Sequence, residues 1–330
     1  MINKIAVIGC GLSGTTVASL IKKKNKVEIF EKSRGVGGRM STRKEPPFTF
    51  DHGAQFFKIK TTEFENFVSE LFSEKIIRPW GFRLAYFDEN NLQKIKIIKK
   101  KDQFFVGTPN MDSIVKYKSQ KCKVILNTKI KKIFKKNNKW FLTDQNKKSY
   151  GNYDWIILSL PAEQSLELIN QEISFYSALK KIKMNSCISL MIGMNEKLHL
   201  NYDAALIENN DVAWLAINNS KPCRAKYQSL LINSSYEFAS RNINSPIHQI
   251  IKHLLNVTSD LVKNELSNSE LIKLHKWKYV EAKKSPNENY FIDYKKKIAI
   301  CGDWFVNSRV EGAFTSAYEL SKEINSKVLL

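Results

Sequence analysis

Cysteine is sparse and unpatterned in this chain. There are five in 330 residues, an odd number, far apart at Cys10, Cys122, Cys187, Cys223 and Cys301, with no C-x-x-C. That excludes a disulfide framework and a zinc site, and suits reduced thiols. No apolar run reaches the ~20 residues a helix needs to cross a bilayer. The first apolar run belongs to the motif described below and not to a signal peptide, so the expected location is the cytoplasm. There is no internal repeat, no low-complexity linker and no expected metal site.

Acidic side chains are also few, 32 against 53 basic ones, for a net charge of +21. Such an excess suits a nucleic-acid or membrane partner when it is concentrated. Here it is dispersed, in Lys22-Lys23-Lys24, Lys99-Lys100-Lys101, Lys131-Lys132, Lys135-Lys136 and Lys295-Lys296-Lys297. We read these as solvated lysines, with no nucleic-acid partner and at most a positive field that steers an anionic substrate. With 43% hydrophobic residues the chain has the material for a core, in two domains or one large one.

What is present is concentrated near the N-terminus. Ile5 to Ile8 reads as a buried parallel strand, Gly9-Cys10-Gly11-Leu12-Ser13-Gly14 as the turn, and Thr15 to Lys23 as a helix. Gly9 permits the turn, Gly11 lets a pyrophosphate approach the backbone, and Gly14 lets helix and strand pack closely. The anion is expected on the helix N-terminus. Val27 to Phe30 is the second strand, and Glu31 ends it twenty residues after Gly11, where a carboxylate binds a ribose diol. A second glycine-rich stretch, Arg34 to Thr42, holds Gly37, Gly38 and Arg39, the last a fork of donors suited to phosphate oxygens. Nicotinamide dehydrogenases do not need this second loop, so the two stretches together point to FAD.

Further along, Thr61 to Ser73 has helical spacing, while Ile76 to Asp88 and Leu92 to Val106 read as strands. Met111 to Ser119 is a short helix, followed by strands to Thr143, a buried strand around Ile156 and a helix from Ala162 to Ile169. Ser186 to Asn195, Asp203 to Ile217, Leu230 to Ile232 and His275 to Tyr279 read as strands, and Pro246 to Asn256 as an amphipathic helix. Lys297 to Trp304 and the helix ending near Ile324 repeat the strand–loop–helix pattern, so a C-terminal strand is expected to return to the N-terminal sheet. The expected fold is α/β, a two-domain Rossmann-type FAD-binding protein with an inserted sheet-rich substrate domain. The nucleotide domain is discontinuous, 1–75, 107–162 and 290–330, and the substrate domain takes 76–106 and 163–289.

Several markers now stand in one order: the Gly9 to Gly14 turn with Glu31, Gly37-Gly38-Arg39, Asp51-His52-Gly53-Ala54-Gln55-Phe56-Phe57, Trp214-Leu215-Ala216 with Ser220-Lys221-Pro222, His275-x-Trp277, and Cys301-Gly302-Asp303-Trp304 with Arg309-Val310-Glu311-Gly312-Ala313. This set resembles the renalase-like flavoproteins, especially the bacterial type, within the amine-oxidase-like FAD superfamily. The resemblance implies a p-hydroxybenzoate-hydroxylase-like fold with non-covalent FAD. It also implies a repair oxidase that returns the 2- and 6-dihydro isomers of NAD(P) to NAD(P)+, with O2 reduced to hydrogen peroxide. The chain departs from the pattern at Asn218, where bacterial relatives commonly have arginine, and at Cys187, where a threonine is found.

The expected cofactor contacts are Gly9, Gly11, Leu12, Ser13, Gly14, Glu31, Lys32, Gly38, Arg39, Met40, Gly53, Ala54, Ile130, Asp303, Val310, Gly312 and Ala313. Asp303 is placed to accept from a ribityl hydroxyl, and the helix starting at Gly312 and Ala313 to favour negative charge on the flavin. The expected substrate side is Gln55, Phe56, Phe57, Cys187, His275, Trp277 and Arg309, with Gln55 bonding an amide and the two phenylalanines forming an apolar wall. No catalytic acid or base is named, because hydride transfer needs stacking and exclusion of water. Glu311 reads as a helix-start residue, His52 as a core histidine, and Lys221 as surface or structural. An amine oxidase or desaturase of the same superfamily, or a flavin-binding redox module without turnover, are the competing readings.

Overall fold

Two main sheets are built from the apolar runs. In the first, Asn3–Ile8 lies between Asn25–Phe30 and Trp155–Leu158, parallel to both. Lys123–Ile125 extends it on one side and Ile298–Ile300 on the other, both parallel, and Phe291–Asp293 closes the edge antiparallel. The strand from the far C-terminus does return to the N-terminal sheet. The computed structural model describes residues 2–23 and 25–328, so Lys24 of the first lysine run lies outside the described residues.

Parallel strands need cover on both faces, which is why Ile5, Ala6 and Val7 are all fully buried. Alternation then divides their side chains. Ile5, Val7 and Ile157 meet Val17, Ala18 and Ile21 of the first helix, Leu12–Ile21, and Ala317 and Leu320 of the C-terminal helix, Val310–Glu323. Ala6, Ile8 and Ile156 face Ile133, Trp140 and Leu142 of a small sheet made by Ile130–Lys136, Lys139–Asp144 and Ser149–Tyr153.

The second sheet has seven strands, in the order Leu271–Ala282, Met184–Met194, Gln228–Ser234, Val212–Ile217, Ala204–Glu208, Phe82–Asp88 and Asn91–Ile98. Only Ala204–Glu208 and Phe82–Asp88 run parallel. The amphipathic helix Ile247–Val262 covers one face, setting Ile250, Leu254 and Leu261 on Ile188, Leu190, Leu215 and Leu230. A further apolar cluster joins the two sheet units: Leu12, Met40, Phe57 and Phe314 share it with Trp80, Leu84, Ala204 and Ala216.

Some expected elements break where local bonds compete with the ladder. Leu92 to Val106 is not one strand. The Lys99 N–H donates to the Asp102 carboxylate at 2.7 Å, Lys100–Asp102 turns, Gln103 takes a left-handed φ of 58°, and a new strand, Phe105–Gly107, follows. The helix after Pro161 ends at Leu166, short of Ile169. The helix Tyr236–Asn242, capped by Ser235, and the strand Ser149–Tyr153 carried too little periodicity to be foreseen.

Candidate functional site

The first helix opens with no side-chain cap at Gly11 and no acid in its first turn. Its first intrahelical bond is Thr15 N–H to the Gly11 carbonyl, which leaves the N–H groups of Leu12, Ser13 and Gly14 outside the ladder. Over them the space is open: a Cβ on Gly11 would meet only Gly37 O and Gly38 Cα, both at 3.9 Å. Gly9 and Gly14 are there for other reasons. Gly9 has φ +105°, and a Cβ on Gly14 would come within 2.0 Å of the Gly9 carbonyl oxygen. The second glycine stretch lies against the first, with Gly37 N–H donating to Cys10 O at 3.0 Å.

The C-terminal helix starts beside this mouth. Ser13 Oγ donates to Ala313 O at 2.9 Å, and the Val310–Glu323 helix also begins without a side-chain cap. Two positive helix ends therefore meet, a field that favours anions. The acid in the second helix's first turn is used elsewhere: Glu311, buried, accepts from Lys60 N, Thr61 N and Thr61 Oγ1. It acts as a helix-start residue that ties in the segment before Thr62–Ser73.

Glu31 is buried at the end of its strand, where it accepts from Cys10 N at 2.8 Å and Ser33 N at 2.9 Å. Lys32 is exposed beside it, and Ile130 is buried against Phe30. Arg39 donates to Asp303 Oδ1 at 2.6 Å and to Val280 O at 2.9 Å, so its fork joins the second glycine stretch to the C-terminal segment. Burial raises the Asp303 carboxyl above its ordinary value, and Arg39 opposes the rise. Ala54 N–H donates to Arg39 O, and a Cβ on Gly53 would come within 2.0 Å of the same oxygen. Met40 is buried, and Ala54, Val310 and Ala313 pack on the cluster that contains it. Most of the expected cofactor residues thus lie around the two helix mouths, whereas Ile130 sits in the core cluster with Phe30 and Trp140. The open glycine, free donors and flanking carboxylates fit a dinucleotide.

The expected substrate residues divide into groups. Phe56 is half-buried, 4.8 Å from Phe104 and 5.9 Å from Trp214 between ring centroids. Phe57, on the opposite side of the extended chain, is core, packed on Phe64 and Phe105, and forms no wall. The Gln55 amide is already filled. Its Nε2 donates to Asp51 O and Gly53 O, and its Oε1 accepts from Lys221 Nζ and Trp214 Nε1, so it has no place left for a substrate amide.

His275 and Trp277 do share one face, and His52 joins them, with centroids 4.2 to 5.0 Å apart. Burial holds the imidazoles neutral, His275 at about 4 with Arg43 and Lys32 contributing, His52 at about 3 with His275 and Arg43 contributing. The His52 Nδ1 is buried without a partner. Cys187 is paired with Trp277 across the strands. Its thiol is pushed up to about 12 by burial and donates to Ser234 O. Arg309 is exposed and spends its charge on Glu281, at 3.5 Å.

The reading of Lys221 as surface or structural misses its depth. Lys221, Asp51 and Arg224 have side chains with no exposure at all. Arg224 donates through Nε and Nη2 to Asp51 Oδ2, at 3.1 and 2.6 Å. Burial would raise the Asp51 carboxyl, but Lys221 and Arg224 hold it at about 2. Asn218 lies in the same network, accepting from Asp51 N–H and Lys221 Nζ. No local signal marks a lysine and an arginine flanking Pro222 as buried. Asp51, inside a motif segment, was the one clue. A surface depression lined by Asn209, Asp211, Glu237 and Asp260 shares no residue with this site.

Residues 7–74 match a family described as an NAD(P)-binding Rossmann-like domain. Renalase of Mus musculus is 24% identical over 97% of this chain and 98% of its own length. A 4,4'-diapophytoene desaturase of Staphylococcus aureus is 51% identical over 51 residues, 15% of this chain and 10% of that protein. Among solved structures, a provisionally assigned protoporphyrinogen oxidase from Exiguobacterium superposes with a TM-score of 0.78 at 9% identity, covering 98% of both chains. Wild-type putrescine oxidase bound to putrescine gives 0.74 at 10%, covering 99% of this chain and 100% of that one. The structural likenesses establish the fold, and the sequence match runs along almost the whole of both chains: this chain is similar to renalase in sequence and to these flavin-dependent oxidases in fold.

Proposed function

We propose that this protein holds FAD non-covalently and oxidises off-pathway dihydronicotinamide isomers, the 2- or 6-dihydro forms of NAD(P), to NAD(P)+. The observation that carries the reading is the pairing of the two uncapped helix mouths with a match to mouse renalase along almost the whole chain. Bound FAD would supply a hydride acceptor at N5 and pass both electrons to O2 as hydrogen peroxide. In this reading the N–H groups of Leu12 to Gly14 hold the pyrophosphate and Glu31 the adenosine ribose. Asp303, kept in place by Arg39, takes a ribityl hydroxyl, and the C-terminal helix favours negative charge at the flavin. Phe56 and Trp214 on one side, His275 and Trp277 on the other, exclude water and orient the donor ring. The boundaries 1–75, 107–162 and 290–330 for the nucleotide domain belong to the same proposal, supported by the strands that make up the six-stranded sheet.

The test is anaerobic mixing of the purified yellow protein with 6-dihydroNAD, ordinary 4-dihydroNAD and benzylamine while the flavin band is followed. Rapid bleaching by the 6-dihydro isomer alone is the expected result. Bleaching by benzylamine alone would transfer the protein to the amine oxidases.

A further inference from the structure

We propose that Lys221 is a positioning residue for the oxidation proposed above, on which the inference rests: its ammonium fixes the Gln55 amide, the amide fixes the Trp214 indole, and the indole holds Phe56 and the substrate-side wall in register. The geometry is a count of donors. An ammonium has three N–H bonds. Lys221 Nζ has three acceptors, Asp51 Oδ2 at 3.3 Å, Gln55 Oε1 at 3.2 Å and Asn218 Oδ1 at 3.2 Å. All of them lie where water does not reach, and an unmade bond there is costly.

The charge is not needed to neutralise Asp51. Arg224, permanently cationic, already binds the same carboxylate oxygen through two nitrogens, and it donates in addition to the carbonyls of Gly107, Pro109 and Pro222. Lys221 is therefore the excess cation of a sealed cluster. The groups facing it are Asp51 and Arg224, the amides of Gln55 and Asn218, and the Trp80 ring at 5.5 Å. Burial lowers its proton affinity to about 8, with Asp51 opposing and Arg224 adding to the fall.

A neutral amine has two N–H bonds for three acceptors. Asp51, charged, keeps its donor. Asn218 is held by other bonds, from Asp51 N–H to its Oδ1 and from its own Nδ2 to Thr49 O. Gln55 Oε1 would be left with Trp214 Nε1 at 3.4 Å. Its Nε2 stays on the Asp51 and Gly53 carbonyls, so what Lys221 releases when it loses its proton is the amide oxygen that meets the Trp214 indole.

The experiment uses the flavin-loaded protein. In wild type, KM for the 6-dihydro isomer should rise across an inflection near pH 8 while kcat stays level. Lys221→Met should raise KM about tenfold at pH 7, the loss expected for one charge-assisted hydrogen bond, and flatten the profile. A Lys221→Met protein with wild-type KM and profile overturns the proposal. Should that variant fail to fold, Gln55→Leu keeps the ammonium and removes the amide it acts through. It should show the same flat profile, and a retained inflection overturns the proposal. Tryptophan emission of the substrate-free protein separates this inference from the choice of substrate. Wild type should shift with a midpoint near pH 8, and Trp214→Phe and Lys221→Met should not. A flat wild-type titration overturns the positioning role whatever the protein oxidises.

Discussion

Three glycines of one motif do different physical work. Gly11 has ordinary backbone and open space where a Cβ would go, whereas a Cβ on Gly14 would collide with the Gly9 carbonyl. Gly11→Val should therefore leave the melting temperature of the flavin-free protein within about 2 °C of wild type, a change of under ~0.5 kcal/mol, and abolish retained flavin. Gly14→Ala should destabilise the fold by ~1–3 kcal/mol in a denaturant titration. A Gly11→Val protein that keeps its full flavin content would refute the placement of the pyrophosphate. At Asp51 the decisive feature is two buried cations on one carboxylate. Asp51→Asn should cost about 3–5 kcal/mol, because it leaves charge uncompensated where water cannot compensate it. Asp51 also sets an acid limit. Its carboxyl is held at about 2 against 3.8, so it contributes about 2 kcal/mol that is present above pH 4 and lost as pH falls through 2.

At the scale of elements, the C-terminal helix leaves its own mouth bare and spends its first-turn carboxylate on Lys60 and Thr61. Glu311→Ala should lower the urea midpoint, at unchanged slope, by an amount equal to about 2 kcal/mol. The pH–rate profile should stay as in wild type, and a lost limb in it would make Glu311 an acid–base group instead. Strand Leu271–Ala282 and the segment after Phe50 together bury two neutral imidazoles. Both are held below the ordinary 6.5, so on acidification the unfolded chain takes up protons that the folded one refuses. Stability should decline from pH 6.5 toward 3. A His52→Gln, His275→Gln double variant should flatten that slope in urea titrations at successive pH values.

For the whole molecule the charge of +21 remains spread over the surface, with ion pairs such as Lys123–Glu28 and Lys296–Glu172 at its margins. Single exposed pairs of this kind contribute little to stability. The unpaired basic excess of +21 is what makes a long-range field, and the association rate of an anionic dinucleotide should drop steeply between low and physiological ionic strength. An on-rate indifferent to salt would leave the lysines as solvation alone. Among the described residues no helix is long and apolar enough to cross a membrane.

The nucleotide end was legible because its chemistry is local. A turn, a close backbone approach and an anion-binding helix start each demand a residue type within a few positions, so Gly9, Gly11, Gly14 and Glu31 announce themselves. The returning strand Ile298–Ile300 was legible for the same reason, from an apolar run closed by Gly302. The inner site was not. Phe56 and Phe57 look equivalent in the chain, and only the packing of Phe57 on Phe64 and Phe105 makes that one core and leaves Phe56 half-buried beside Phe104 and Trp214. Gln55 reads as a free amide until its four partners are seen, and Lys221 as a polar loop residue until Asp51 and Arg224 close over it. Burial of a charge depends on groups more than a hundred residues away in sequence, which no local pattern encodes. The chain alone therefore determined what kind of molecule can be held, and the tertiary structure alone decided which side chains are free to meet it.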